Sequence, residues 1–253
     1  MTPPGGGGRT TAPVHRYGPW ALAGIALAVV LAVELARHHV IDRYEVLFFV
    51  ALVPTVILHE VSHGLVAYWC GDDTAKRAGR LSLNPLRHID PLGTIILPIV
   101  LILTTGSAFG WARPVPVDVG RLRHPRNQAV LVGLVGPLVN IVIALLAGFG
   151  LRFLTNNIAP PGGIDQWPIG EAFLYELGAV NAIIAVFNLI PIPPLDGSAV
   201  LERLLPRAAL PGYYRLRSAM MLLVIALVLF APGALTSLFN WALRVWSDVV
   251  FFT

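Results

Sequence analysis

Charge is scarce in this chain. Only 13% of its 253 residues are Asp, Glu, Lys or Arg, about half the share carried by a water-soluble domain. So few charges cannot cover a soluble ball of this size, which excludes an ordinary cytosolic enzyme. Cysteine is nearly absent: Cys70 is the single one, so there is no internal disulfide framework and no zinc site built from thiolates alone. Internal repeats are lacking, and so is any polar stretch of about 80 residues free to form a soluble accessory domain. What the chain has instead is apolar sequence, 56% of residues with a mean hydropathy of +0.72, arranged in runs near the ~20 residues that cross a bilayer as a helix. The net charge of +4 and pI near 9.6 are the balance of a nucleic-acid binder, but in so apolar a chain the Lys and Arg excess reads as membrane orientation. No nucleic acid is expected.

Residues 1–16 (MTPPGGGGRTTAPVHR) are rich in Gly and Pro without apolar period and read as a disordered tail. Residues 17–253 read as one membrane-embedded domain with a core at about 45–200. Apolar runs cover about 20–36, 45–69, 128–153, 171–190 and 220–231. A further run at 234–252, interrupted by Arg244 and Asp248, is long enough to span or to lie in the interface. The expected fold is therefore an all-α polytopic membrane protein with five to six transmembrane helices. Residues 79–84 (GRLSLN) alternate apolar and polar side chains and predict a small β-hairpin near the cytoplasmic side, with an edge that an unwound substrate could join.

Basic residues cluster in three stretches: Lys76, Arg77, Arg80 and Arg87; Arg113, Arg121, Arg123 and Arg126; Arg203, Arg207, Arg215 and Arg217. Positive residues stay cytoplasmic, so all three face the cytoplasm with the N-terminus, in the cell membrane. Two of the stretches flank residues 92–109, which are apolar but interrupted by Pro98 and Gly106. A segment that leaves from the face it entered is a re-entrant hairpin rather than a span.

The sharpest signal is HEVSH at 59–63. Histidines at i and i+4 lie on one helical face and can share one metal, and neutral imidazole suits Zn²⁺. Glu60 adjoins the first ligand, where it can take a proton from activated water. Chance would produce this pattern in about one such chain in two hundred. Its setting is an apolar helix (TVILHEVSHGLVAYW), where ionisable groups are costly unless paired or functional. A catalytic zinc needs a third protein ligand. Glu34, Glu171, Glu176 and Glu202 flank spans or sit near their ends, and His88 and Asp90 lie in a basic loop. Asp196 stands apart in NLIPIPPLDG (188–197), where Pro191, Pro193 and Pro194 break the helix and Gly197 permits a turn. Its competing role is to cap the helix that follows. Counting spans puts His59, His63 and Asp196 on the cytoplasmic side.

With these residues in view the sequence resembles the site-2 protease family of intramembrane zinc metalloproteases. The resemblance rests on HEVSH and NLIPIPPLDG, and on GRLSLNPLRHIDPLGT at 79–94, FGWARPVPV at 109–117 and GPLVN at 136–140. It is closest to the short prokaryotic subgroup without PDZ or CBS domains. The resemblance implies one Zn²⁺ per chain held by His59, His63 and Asp196, with Glu60 as general base. It implies that Asn188 helps hold the substrate or the oxyanion, and that Gly136, Pro137 and Asn140 serve close packing and polar contact to the site. The implied substrates are single-span transmembrane proteins or peptides in the lipid bilayer, which must unwind locally before a shielded peptide bond can be attacked. A rival class is a membrane zinc carrier or sensor, in which the metal is cargo. Glu60 beside a ligand argues against it, because transport needs no base there.

His88 and His124 read as solvated loop residues, Cys70 as a small buried hydrophobe, and Trp20, Trp69, Trp111 and Trp246 as an aromatic belt at the membrane boundaries.

Overall fold

The computed structural model describes residues 43–96, 111–156, 164–230 and 232–251. The N-terminal tail, the first apolar run at 20–36 and most of the expected re-entrant hairpin lie outside these residues. The described chain belongs to one unit, Arg43–Thr253.

Its helices are α1 (Arg43–Trp69), α2 (Thr74–Arg77), α3 (Pro125–Leu154), α4 (Ile169–Leu189), α5 (Ser198–Leu204), α6 (Leu210–Phe230) and α7 (Pro232–Phe251). Three are long and apolar enough to cross a membrane: Val46–Trp69 within α1, and the whole of α3 and α4. Each is rich in apolar residues along its length. On α3, Leu131, Leu138, Val142, Leu146, Phe149 and Phe153 are exposed, although nothing in water would favour that face. An outward apolar face is what hydrocarbon solvates. Pro54 and Pro137 sit inside α1 and α3, as membrane helices tolerate where neighbouring helices accommodate the interrupted hydrogen bonding.

Helices α1, α3 and α4 pack on one another, and α7 lies against α3 and α4. Lipid tails are as apolar as leucine, so close packing rather than water exclusion holds such helices together, and small residues sit at the seams. Ala144, Ala147, Ala179, Ala182 and Ala185 are buried there. Trp246 of α7 belongs to this interior rather than to an aromatic belt. It is buried, its Nε1 donates to the Ala144 carbonyl at 2.8 Å, and a Cβ on Gly178 would come within 2.1 Å of its ring. A tryptophan near the end of a run invites the boundary reading; the glycine opposite it admits the ring to the core.

The two ends of the bundle differ. At one, Leu47, Leu151, Trp167 and Ala172 cluster, and Arg43 donates to the Trp167 carbonyl at 2.7 Å. At the other, Ala67, Leu122 and Val132 cluster, and the Arg123 N–H donates to the Cys70 carbonyl at 2.9 Å. Helix α3 therefore runs antiparallel to α1. The three basic stretches gather at this second end, where Arg203 of α5 donates to Asn127 at 2.8 Å. Buried Asp72 closes it, accepting from the Asp118 N–H at 2.7 Å and from the Thr74 N–H and hydroxyl.

The expected β-hairpin is corrected, since no strand forms among the described residues. Residues 80–84 run without regular structure and without a neighbouring strand among the described residues. His88 Nε2 lies 2.8 Å from the Ser82 carbonyl, and Arg87 donates to the Gly79 carbonyl. His88 is buried rather than solvated because of this contact. Helix α6 begins ten residues before the expected run at 220, with Pro211 in its first turn, a position proline favours.

Candidate metal centre

HEVSH lies in the second half of α1, about one and a half turns before its end at the basic pole. The i, i+4 spacing places both imidazoles on the face packed against α3. His59 Nε2 and His63 Nε2 are 3.1 Å apart. The other nitrogen of each ring is engaged by α3: His63 Nδ1 lies 2.5 Å from the Val132 carbonyl, and His59 Nδ1 lies 2.5 Å from Asn140 Oδ1. A carbonyl only accepts, so the Nδ1 of His63 carries the proton and its Nε2 turns a lone pair into the gap.

Asp196 arrives from the turn after α4. Proline at 191, 193 and 194 ends the helix, and the chain folds back so that the Gly197 N–H donates to the Asn188 carbonyl at 2.6 Å. A Cβ at Gly197 would sit 2.2 Å from the Leu189 carbonyl oxygen, so only glycine permits this return. The turn puts Asp196 Oδ2 3.0 Å from His59 Nε2 and 3.4 Å from His63 Nε2. That oxygen is buried and accepts no hydrogen bond. Two imidazole nitrogens and one carboxylate oxygen, all within 4.8 Å of one another, form a group able to hold a metal ion. A buried carboxylate oxygen facing one nitrogen of each of two imidazole rings is the donor set that a divalent cation satisfies.

Gly136 of α3 makes room for it. A Cβ at that position would lie 2.4 Å from His63 Nε2 and 2.6 Å from His59 Cε1. Pro137 follows it and is fully buried. Glu60 accepts from the Val115 N–H at 2.8 Å. This ties α1 to the segment RPVPV before α3. Asn188 donates one amide proton to the Ile184 carbonyl of its own helix at 3.1 Å, and a primary amide has a second. Glu34 lies outside the described residues, and the described metal-binding group contains neither His88 nor Asp90.

Sequence reasoning missed two residues. Asn181 of α4 and Thr55 of α1 are fully buried and join Asn140 in a run of hydrogen bonds: Asn140 Nδ2 to Asn181 Oδ1 at 2.7 Å, then Asn181 Nδ2 to Thr55 Oγ1 at 2.7 Å. A signal existed. Thr55 stands one turn before His59 and Asn181 two turns before Asn188, each a polar residue inside an apolar helix.

Comparison with known proteins follows the same lines. The model of Peptidase family M50 matches residues 164–231, which hold Asn181, Asn188 and Asp196. YwhC of Bacillus subtilis, named as a candidate zinc metalloprotease, is 41% identical over 165 residues, 62% of this chain and 68% of that protein. Rip2 of Mycolicibacterium smegmatis, named likewise, is 33% identical over 71% of this chain and 65% of its own length. A zinc metalloprotease of Methanocaldococcus jannaschii is 24% identical over 72% of this chain and 40% of its own length. No solved structure matches. An apolar helical bundle, a buried two-histidine, one-aspartate group and these relatives lead to one assignment: the chain belongs to peptidase family M50, the site-2 proteases, and is a zinc metalloprotease.

Proposed function

We propose that this chain is an intramembrane protease of the cell membrane that cuts peptide bonds within or near the transmembrane segments of single-span proteins. In this reading one Zn²⁺ is held by His59, His63 and Asp196, and Glu60 is the general base. The observation that carries it is the buried Asp196 oxygen without a hydrogen-bond donor, set against two imidazole nitrogens inside a helix long enough to span.

When bound, zinc supplies Lewis acidity, polarising a carbonyl and acidifying water. The chain's residues do the rest. Glu60 adjoins the ligand His59 in sequence, accepts a proton from the attacking water and passes it to the leaving amine. The second amide N–H of Asn188 stabilises the oxyanion once a substrate backbone lies along the turn at 190–196. Gly136 and Pro137 keep α3 close without filling the gap, and Asn140 orients His59. The substrate enters unwound, because a helical peptide bond is already hydrogen-bonded and screened. Gathering of the basic stretches at the pole nearer the site supports a cytoplasmic-side active site.

The test is cleavage of a single-span substrate in proteoliposomes by the wild-type chain and by Glu60→Gln. Cleavage by the wild type alone, with zinc retained in both, is the expected result. Cleavage by Glu60→Gln at the wild-type rate refutes the assignment. Zinc flux across the same vesicles, in place of hydrolysis, would move the chain to the carrier class.

A further inference from the structure

The two imidazoles are oriented by different devices. His63 Nδ1 faces the Val132 carbonyl, a group that can only accept, so its tautomer is settled. His59 Nδ1 faces the side-chain amide of Asn140, and an amide has an accepting end and a donating end. Turned one way it takes the proton of Nδ1 and leaves the Nε2 lone pair for zinc. Turned the other way it donates to Nδ1, and the Nε2 hydrogen then points at the ion.

The rest of the chain of hydrogen bonds decides between them. Asn181 Nδ2 lies 2.8 Å from the Leu177 carbonyl and 2.7 Å from Thr55 Oγ1. The Thr55 hydroxyl gives its own proton to the Ala51 carbonyl at 2.8 Å, so towards Asn181 it too can only accept. Both amide hydrogens of Asn181 are thereby committed, and its oxygen must face Asn140. That oxygen accepts from Asn140 Nδ2 at 2.7 Å, which forces the Asn140 oxygen towards His59. Polarity thus runs from two backbone carbonyls, through two fully buried amides on two helices, to one ring nitrogen. Reversing any link would set donor against donor or acceptor against acceptor inside a buried run of hydrogen bonds.

We infer that Asn181 is a positioning residue for the metal centre: by fixing which end of the Asn140 amide meets His59, it holds His59 in the tautomer that offers Nε2 to zinc. It touches neither the ion nor the substrate. Thr55 is secondary, since the Leu177 carbonyl alone keeps Asn181 oriented. The inference rests on the zinc site proposed above.

The experiment measures zinc affinity of the detergent-solubilised full chain by competition with a chromophoric chelator, and records the visible spectrum after Co²⁺ substitution. Asn181→Leu and the smaller Asn181→Ala are compared, each alone and combined with Asn140→Asp. A carboxylate only accepts, so it restores the polarity without help from residue 181. The expected result is a loss of about 10- to 100-fold in zinc affinity and an altered Co²⁺ spectrum in the single variants. Both recover towards wild type when Asn140→Asp is added, and Thr55→Val stays near wild type. A merely structural role for Asn181 would not be rescued by a carboxylate at 140. Wild-type affinity in a folded single variant, or a double variant that binds no better than the single, overturns the inference. Zinc binding left undiminished by Asp196→Ala in an otherwise wild-type chain refutes the underlying site instead.

Discussion

Gly136 and His63 leave no space between them: a methyl group on Gly136 would lie 2.4 Å from the ring nitrogen that faces Asp196. A real Cβ never approaches so closely, so ring or helix must shift. Alanine favours a helix interior over glycine by about 1 kcal/mol, so the cost of Gly136→Ala falls on the imidazoles it meets rather than on the helicity of α3. It is expected to lose zinc affinity by tenfold or more, the scale at which misplaced ligands are felt. Chelator competition together with a thermal melt separates the two effects.

Glu60→Gln keeps the size of the side chain and removes its basicity. Zinc content, measured by elemental analysis, should equal that of the wild type, while turnover falls by about 10²–10⁴. Asp196→Ala should do the converse and lower bound zinc.

Asp72 links stability to pH. Its carboxyl is driven upward by burial, but the hydrogen bonds from Thr74 and Asp118, with the charge of Arg121, outweigh that and hold it below the ordinary carboxylate value of 3.8. The unfolded chain therefore binds the proton more tightly than the folded one. The stabilisation is complete above about pH 5 and is lost as pH falls through the folded-state value. Asp72→Asn should cost about 1–3 kcal/mol at neutral pH, and its melting temperature should fall less than that of the wild type between pH 5 and pH 3. Parallel pH profiles would contradict this.

Trp246→Ala should destabilise the bundle by about 3–5 kcal/mol, since it empties the space between Ala144, Gly178 and Val250. Zinc stoichiometry of the remaining folded fraction should be unchanged. A melting curve in detergent and metal analysis check both halves.

What could be read in advance follows from range. His59 and His63 stand four residues apart on one helix, so their spacing alone states that they share a face, with Glu60 beside the first in sequence. Asp196 was legible because three prolines leave a carboxylate where no helix can continue. Asn181 and Thr55 were not legible, because a lone amide or hydroxyl in an apolar run has no meaning until the facing helix is known. Trp246 and the stretch at 79–84 misled for the same reason: belt against core, and paired against unpaired extended chain, are decided by partners distant in sequence. Of the expected five to six spans, three are met by α1, α3 and α4, with α6 and α7 continuous helices beyond them.

No single helix holds the three clustered donors: the imidazoles come from α1 and the carboxylate from the turn after α4. The proposed site therefore exists only once that turn has docked on the bundle. On this proposal a partly synthesised chain that ends before Asp196 lacks one of the three donors and would not cut.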